Sequence, residues 1–97
     1  MRRARFSINL EMERSNPNLL KAFATVLKRR RKEAGLSQEE LAFRCDLSMS
    51  YISLLETMNR QPTLTVLFNI CGQLDVPMSI MLLDIEKEIG LGHPREH

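Results

Sequence analysis

Leu19, Phe23, Val26 and Leu27 recur three and four residues apart, the spacing that lines one face of a helix. Ser15-Asn16-Pro17 starts that helix, since proline near the first turn lacks an N–H the helix could not use. Gly35 stops it as a C-cap. Two short patterns follow. Ser37 with Glu40 three residues on forms a capping box, so Gln38 to about Cys45 reads as helical. Leu41 and Ala42 turn inward there and leave Gln38, Glu39 and Arg44 exposed. Asp46 interrupts the pattern, Ser48 supplies a second N-cap, and Ile52 and Leu55 fall on one face of a third helix. Helices joined by so short a break must cross steeply, which is helix-turn-helix geometry.

Pro62-Thr63 starts a fourth helix, whose Leu64, Leu67, Cys71 and Leu74 repeat on one face, expected to lie against helices 1 and 3. Met78 to about Ile89 gives a fifth, with Met78, Met81, Leu82, Ile85 and Ile89 on one wide face. Ile80 and Leu83 are apolar as well, and a terminal helix apolar on more than one side of so small a domain implies a partner surface.

At the amino terminus the period changes to two, with Phe6, Ile8 and Leu10 alternating with Ser7 and Asn9. Three readings stay open: a strand pairing with a second subunit, a disordered arm, or an arm whose Arg2, Arg3 and Arg5 reach DNA phosphates or a minor groove. The chain thus divides into a basic arm over residues 1–14, a helical domain over 15–89 and a tail over 90–97.

Ninety-seven residues make one small domain with a modest core and little left for a catalytic lobe. No apolar run approaches the ~20 residues that span a bilayer. The opening MRRARFSINL is basic but lacks a secretory apolar segment and cleavage site, so a cytoplasmic protein is expected. Net charge is +2, yet residues 1–32 carry ten Lys or Arg against Glu11 and Glu13, a balance of +8 that leaves the remainder at −6. That asymmetry suits a molecule with one face toward polyanions. The run Lys28 to Lys32 surrounds its helix, so its members cannot all face one ligand, and the helix dipole accounts for part of it.

Catalytic readings find little support. His93 and His97 lie in a Gly- and Pro-containing tail, and no spacing completes a metal site. No phosphate-cradling glycine loop or nucleophile motif occurs, so no enzyme activity, metal or cofactor is expected. Cys45 and Cys71, inside predicted helices, read as buried free thiols.

Ser37, Gln38, Leu41, Ala42, Ser48, Ile52 and Glu56 meet the pattern Ser-Gln-x-x-Leu-Ala, a break, then Ser-x-x-x-Ile-x-x-x-Glu. In these residues the chain resembles the Cro and phage-repressor (XRE-like) family of helix-turn-helix regulators from Leu19 to about Leu83. The resemblance implies an all-α fold, a five-helix lambda-repressor-like DNA-binding domain with a short amino-terminal arm or strand. It also implies an ion pair between Arg31 and Glu56, with Gln38 contacting a phosphate or bracing the reading helix. Glycines usual in that family are replaced by Asp46 in the turn and by Met58 after Glu56, where Asn59 is expected to take the left-handed cap.

Helix 3 would then read the major groove with its first turns. Met49 and Leu54 suit thymine methyl groups, Ser50 a base edge or phosphate, Tyr51 a phosphate, and Ser53 completes the outward set with Arg60 as a phosphate clamp. Arg, Asn and Gln are missing from that face, so specificity leans on methyl contacts, serine bonds and DNA shape. The resemblance further implies a homodimer on a near-palindromic operator, with half-sites about 34 Å apart and Ile80 and Leu83 at the dimer interface. Phage or plasmid repressors, restriction-modification controllers and antitoxins all fit. The alternative of another class is a protein-interaction module acting through helix 5 and the amino-terminal arm.

Overall fold

A computed structural model of the chain describes residues 16–92, with side chains described to residue 90. The amino-terminal arm or strand, its Arg2, Arg3 and Arg5, Ser15, and the tail histidines His93 and His97 lie outside the described residues. Among the described residues five helices follow in order: α1 (Pro17–Glu33), α2 (Gln38–Cys45), α3 (Met49–Glu56), α4 (Leu64–Gln73) and α5 (Met78–Gly92). No strand occurs among the described residues. The fold is all-α.

Each helix boundary has a local chemical cause. The Asn16 side chain accepts hydrogen bonds from the amides of Asn18 and Leu19 at 3.0 and 3.1 Å, opening α1 ahead of Pro17. Ser37 Oγ accepts from the Glu40 amide at 3.0 Å while Glu40 accepts from the Ser37 amide at 2.8 Å, the reciprocal capping box of α2. Ser48 and Thr63 cap α3 and α4 with a single bond each, accepting from the amides of Tyr51 and Val66 at 3.0 and 3.1 Å.

Four helices end by one device: a residue in left-handed backbone, then an amide reaching back to a carbonyl five residues earlier. Gly35, Asp46, Met58 and Asp75 hold these positions, with φ of 75°, 61°, 67° and 59°. Only glycine adopts this region without cost, so the three others each carry strain of about 1 kcal/mol or more. After α3 the left-handed residue is Met58 itself and not Asn59, a correction to the sequence expectation. The Asn59 amide closes the turn on Leu54 O at 2.8 Å, which places the residue before it in the bend.

The core gathers Phe23, Val26 and Leu27 of α1, Leu41 of α2, Ile52 and Leu55 of α3, Ile70 of α4, and Met81 and Ile85 of α5. Helix α1 packs along α5, α2 crosses α3, and α3 also rests on α1. Helix α4 packs chiefly on α2 and α5, where helices 1 and 3 were expected. Asn69 Nδ2 donates to Cys45 O at 2.8 Å and ties α4 to the end of α2.

Three leucines expected inside are exposed: Leu19, Leu64 and Leu82. Leu20 fills the core in place of Leu19, being nearer the middle of the buried arc of α1. Leu64 is the first residue of α4, and Leu82 lies at the edge of the α5 face centred on Met81 and Ile85. Helix α5 continues to Gly92, beyond the expected end near Ile89. Among the described residues no single helix is long and apolar enough to cross a membrane.

Candidate nucleic-acid interface

Helix α3 has eight residues and a rise of about 12 Å. Ile52 and Leu55 are fully buried, which fixes which of its sides faces outward. Ser50 and Leu54 are exposed on that outer side, and Met49 is exposed as the first residue of the helix. Tyr51 and Ser53 are half-buried, with the Tyr51 ring packed against the core. Arg60 is exposed in the loop that follows. Free backbone donors and the positive end of the dipole lie at the same end of α3 as Met49 and Ser50, an arrangement favourable to anions.

The other end of α3 is held by a buried polar knot. Arg31 donates through Nε to Glu56 Oε2 at 2.6 Å and through Nη2 to Oε1 at 2.9 Å, a bidentate pair. Its Nη1 donates to Leu36 O at 2.8 Å, in the turn before α2. Gln38 Nε2 donates to Glu56 Oε1 at 3.0 Å. Gln38 was expected in the exposed set of α2. It is half-buried and braces the glutamate of α3. Both charges are only 7% exposed, and no buried side-chain nitrogen or oxygen among the described residues lacks a partner.

The knot's electrostatics follow from that geometry. Burial alone would raise the Glu56 carboxyl, but the hydrogen bonds from Arg31 and Gln38, with the nearby charges of Arg31 and Lys28, hold it below the ordinary carboxylate value. The hydrogen bond to Glu56 likewise holds the Arg31 guanidinium above its ordinary value. At the start of α2, the Ser37 amide and hydroxyl lower the exposed Glu40 carboxyl. Cys45 and Cys71 are free, and burial raises both thiols, which leaves little thiolate and makes them poor nucleophiles.

Sequence reasoning missed the polar bracing of the loop after α3. Thr57 Oγ1 donates to Ser53 O at 2.8 Å, and Asn59 Nδ2 donates to Thr57 O and Oγ1 at 3.1 and 2.9 Å. The available signal was two short polar side chains directly behind the helix, where they compete for its last carbonyls. Ile80 and Leu83 of α5 are 39% and 44% exposed. Among the described residues no cluster of His, Cys, Asp and Glu could hold a metal ion.

Comparison with known proteins gives consistent relatives. The helix-turn-helix family model matches residues 27–81. Control protein C.MunI from Mycoplasma sp is 40% identical over 67 residues, which are 68% of this chain and 90% of that protein. The restriction-modification controller protein C.Esp1396I, solved as a tetramer in complex with its natural 35 base-pair operator, is similar at 35% identity. Its TM-score is 0.68, over 73% of this chain and 93% of the other. The clp gene regulator ClgR from Corynebacterium glutamicum shares the fold at 24% identity, with a TM-score of 0.73 over 76% and 79% of the two chains.

Proposed function

The chain belongs to the helix-turn-helix family, and on that premise we propose that it is a sequence-specific regulator of transcription that binds double-stranded DNA as a homodimer on a near-palindromic operator. The carrying observation is the division of α3: its last residue is locked inward by Arg31 and Gln38, while Met49 and Ser50 are exposed on its first turn and Leu54 on its outward side. Those turns enter the major groove in helix-turn-helix docking. Met49 and Leu54 meet thymine methyl groups and Ser50 a base edge or phosphate. The flanking Tyr51, Ser53 and Arg60 complete the contact, and Gln38 serves it from behind by steadying Glu56. The likeness to C.MunI and C.Esp1396I favours the restriction-modification controller among the regulator types.

In this reading the protein binds and does not catalyse, works in the cytoplasm, and dimerises through α5 with Ile80 and Leu83 at the contact. A salt titration of duplex binding tests it. Affinity should fall steeply and linearly on logarithmic axes as counterions return to the phosphates. Absent or salt-independent duplex binding overturns the reading in favour of a protein-interaction module.

A further inference from the structure

Helix α1 carries five consecutive cations, Lys28 to Lys32, which the fold separates into two groups. Arg29, Arg30 and Arg31 each meet a carboxylate, on Glu88, Asp84 and Glu56. Lys28 and Lys32 are exposed, and among the described residues neither has a carboxylate within ion-pair distance. Lys21, two turns earlier, is likewise exposed. At 100° per residue, Lys21, Thr25, Lys28 and Lys32 fall within an arc of about 60° on one side of the helix. They form one wall of an open groove of about 400 Å³, whose other wall is the end of α3 with Thr57 and Met58. Among the described residues Glu56 is the one carboxylate bordering that groove, and Arg31 and Gln38 already engage it.

We propose that this lysine stripe tracks the sugar-phosphate backbone bordering the major groove that α3 reads, a proposal that rests on α3 being the reader. The spacing selects the ligand. Lys21 and Lys32 are separated by about 16 Å along the helix axis, so their charges suit a polymer of repeating phosphates, whereas a small anion needs convergent donors. Position supports the same partner, because α3 is about 12 Å long and the major groove is about 12 Å wide. A duplex whose base edges meet the first turns of α3 therefore has its groove wall near the other end, where the stripe and the Thr57 to Arg60 loop lie. Phosphate contacts add affinity and set register without carrying sequence information. They supplement a reading face that has few strong hydrogen-bonding side chains.

The test combines Lys21→Gln, Lys28→Gln and Lys32→Gln in the full chain and measures binding to a selected operator duplex and to an unrelated duplex over a range of salt. The slope of log affinity against log salt should fall in magnitude by about 2 to 3, weakening both duplexes by a similar factor. The corresponding lysine-to-arginine triple should keep the parent slope. If the glutamine triple misfolds by circular dichroism, Lys28→Gln alone should still lower the slope by about 1. An unchanged slope in a folded variant overturns the proposal, as does lost discrimination between the duplexes, which would assign the lysines to base reading. Lysine-dependent binding of poly-glutamate with an unaltered duplex slope also overturns it, in favour of an acidic protein partner. A parent chain that binds no duplex at low salt fails earlier, at the reading by α3.

Discussion

The two ends of α3 obey opposite physical rules within eight residues. At Glu56 every polar atom is matched: a bidentate arginine, a half-buried glutamine and a carbonyl acceptor for the remaining guanidinium nitrogen. At the opposite end Met49 and Ser50 are exposed, as is Leu54 along the same helix, and their side chains make no hydrogen bond among the described residues. Geometry at the first end is over-determined, and at the second it is left to a partner. On the proposed function the contrast separates stability from recognition along one short helix, so substitutions in the two groups should fail in different ways.

The largest effect should come from the buried end. Glu56→Leu leaves the Arg31 guanidinium buried without its counter-charge and should destabilise the domain by roughly 3 to 5 kcal/mol. Adding Arg31→Met should recover much of that loss, because two apolar residues replace two charges. Denaturant unfolding of the two single variants and the double closes the cycle, and additive losses would show that the pair is not coupled. The same pair gives an acid dependence. Since the folded Glu56 carboxyl sits below its unfolded value, its contribution is complete above the unfolded value of about 4.3. It is lost as the pH falls through the lower folded value, and the acid limb of a stability curve should shrink in Glu56→Leu.

At the outer end, Ser50→Glu places a charge against DNA phosphates from an exposed position. Duplex affinity should drop on the order of a hundredfold, about 2.7 kcal/mol, with the unfolding midpoint unchanged. Equal affinity would remove α3 as the reader. Ile80→Asp touches neither end of α3 and should act through assembly. Sedimentation should shift toward monomer by roughly tenfold in dissociation constant, and a profile identical to the parent would take α5 out of the interface. The smallest change expected is a gain. Met58→Gly relieves the left-handed strain at φ 67° behind the buried end and should add about 1 kcal/mol, less the entropy of an added glycine.

Much of this division was legible from residue types and spacing. Ser37 with Glu40, and Ser48, announce helix starts because their side chains bond amides within three residues, and the structure has those bonds, while Pro17 marks the start that Asn16 caps. Ile52 and Leu55 likewise orient α3, since a helical period of 3.6 leaves little choice of side. What stayed hidden depends on distance along the chain or on tolerated strain. Nothing near Arg29 and Arg30 reveals Glu88 and Asp84, more than fifty residues away, and so the basic run could not be sorted into paired arginines and a lysine stripe. Met58 escaped because a bulky residue in left-handed backbone contradicts local preference, and only the surrounding closure imposes it. Leu64 and Leu82 continue the apolar period past the edge of what neighbouring helices cover.

The most direct measurement is selection of bound sequences from random duplex, followed by footprinting of the protein on the winner. The expected site is near-palindromic and protected as two half-sites one helical turn, about 34 Å, apart, with thymines prominent where Met49 and Leu54 would lie. Recovery of no enriched sequence, or of a single asymmetric site with one protected patch, would contradict it.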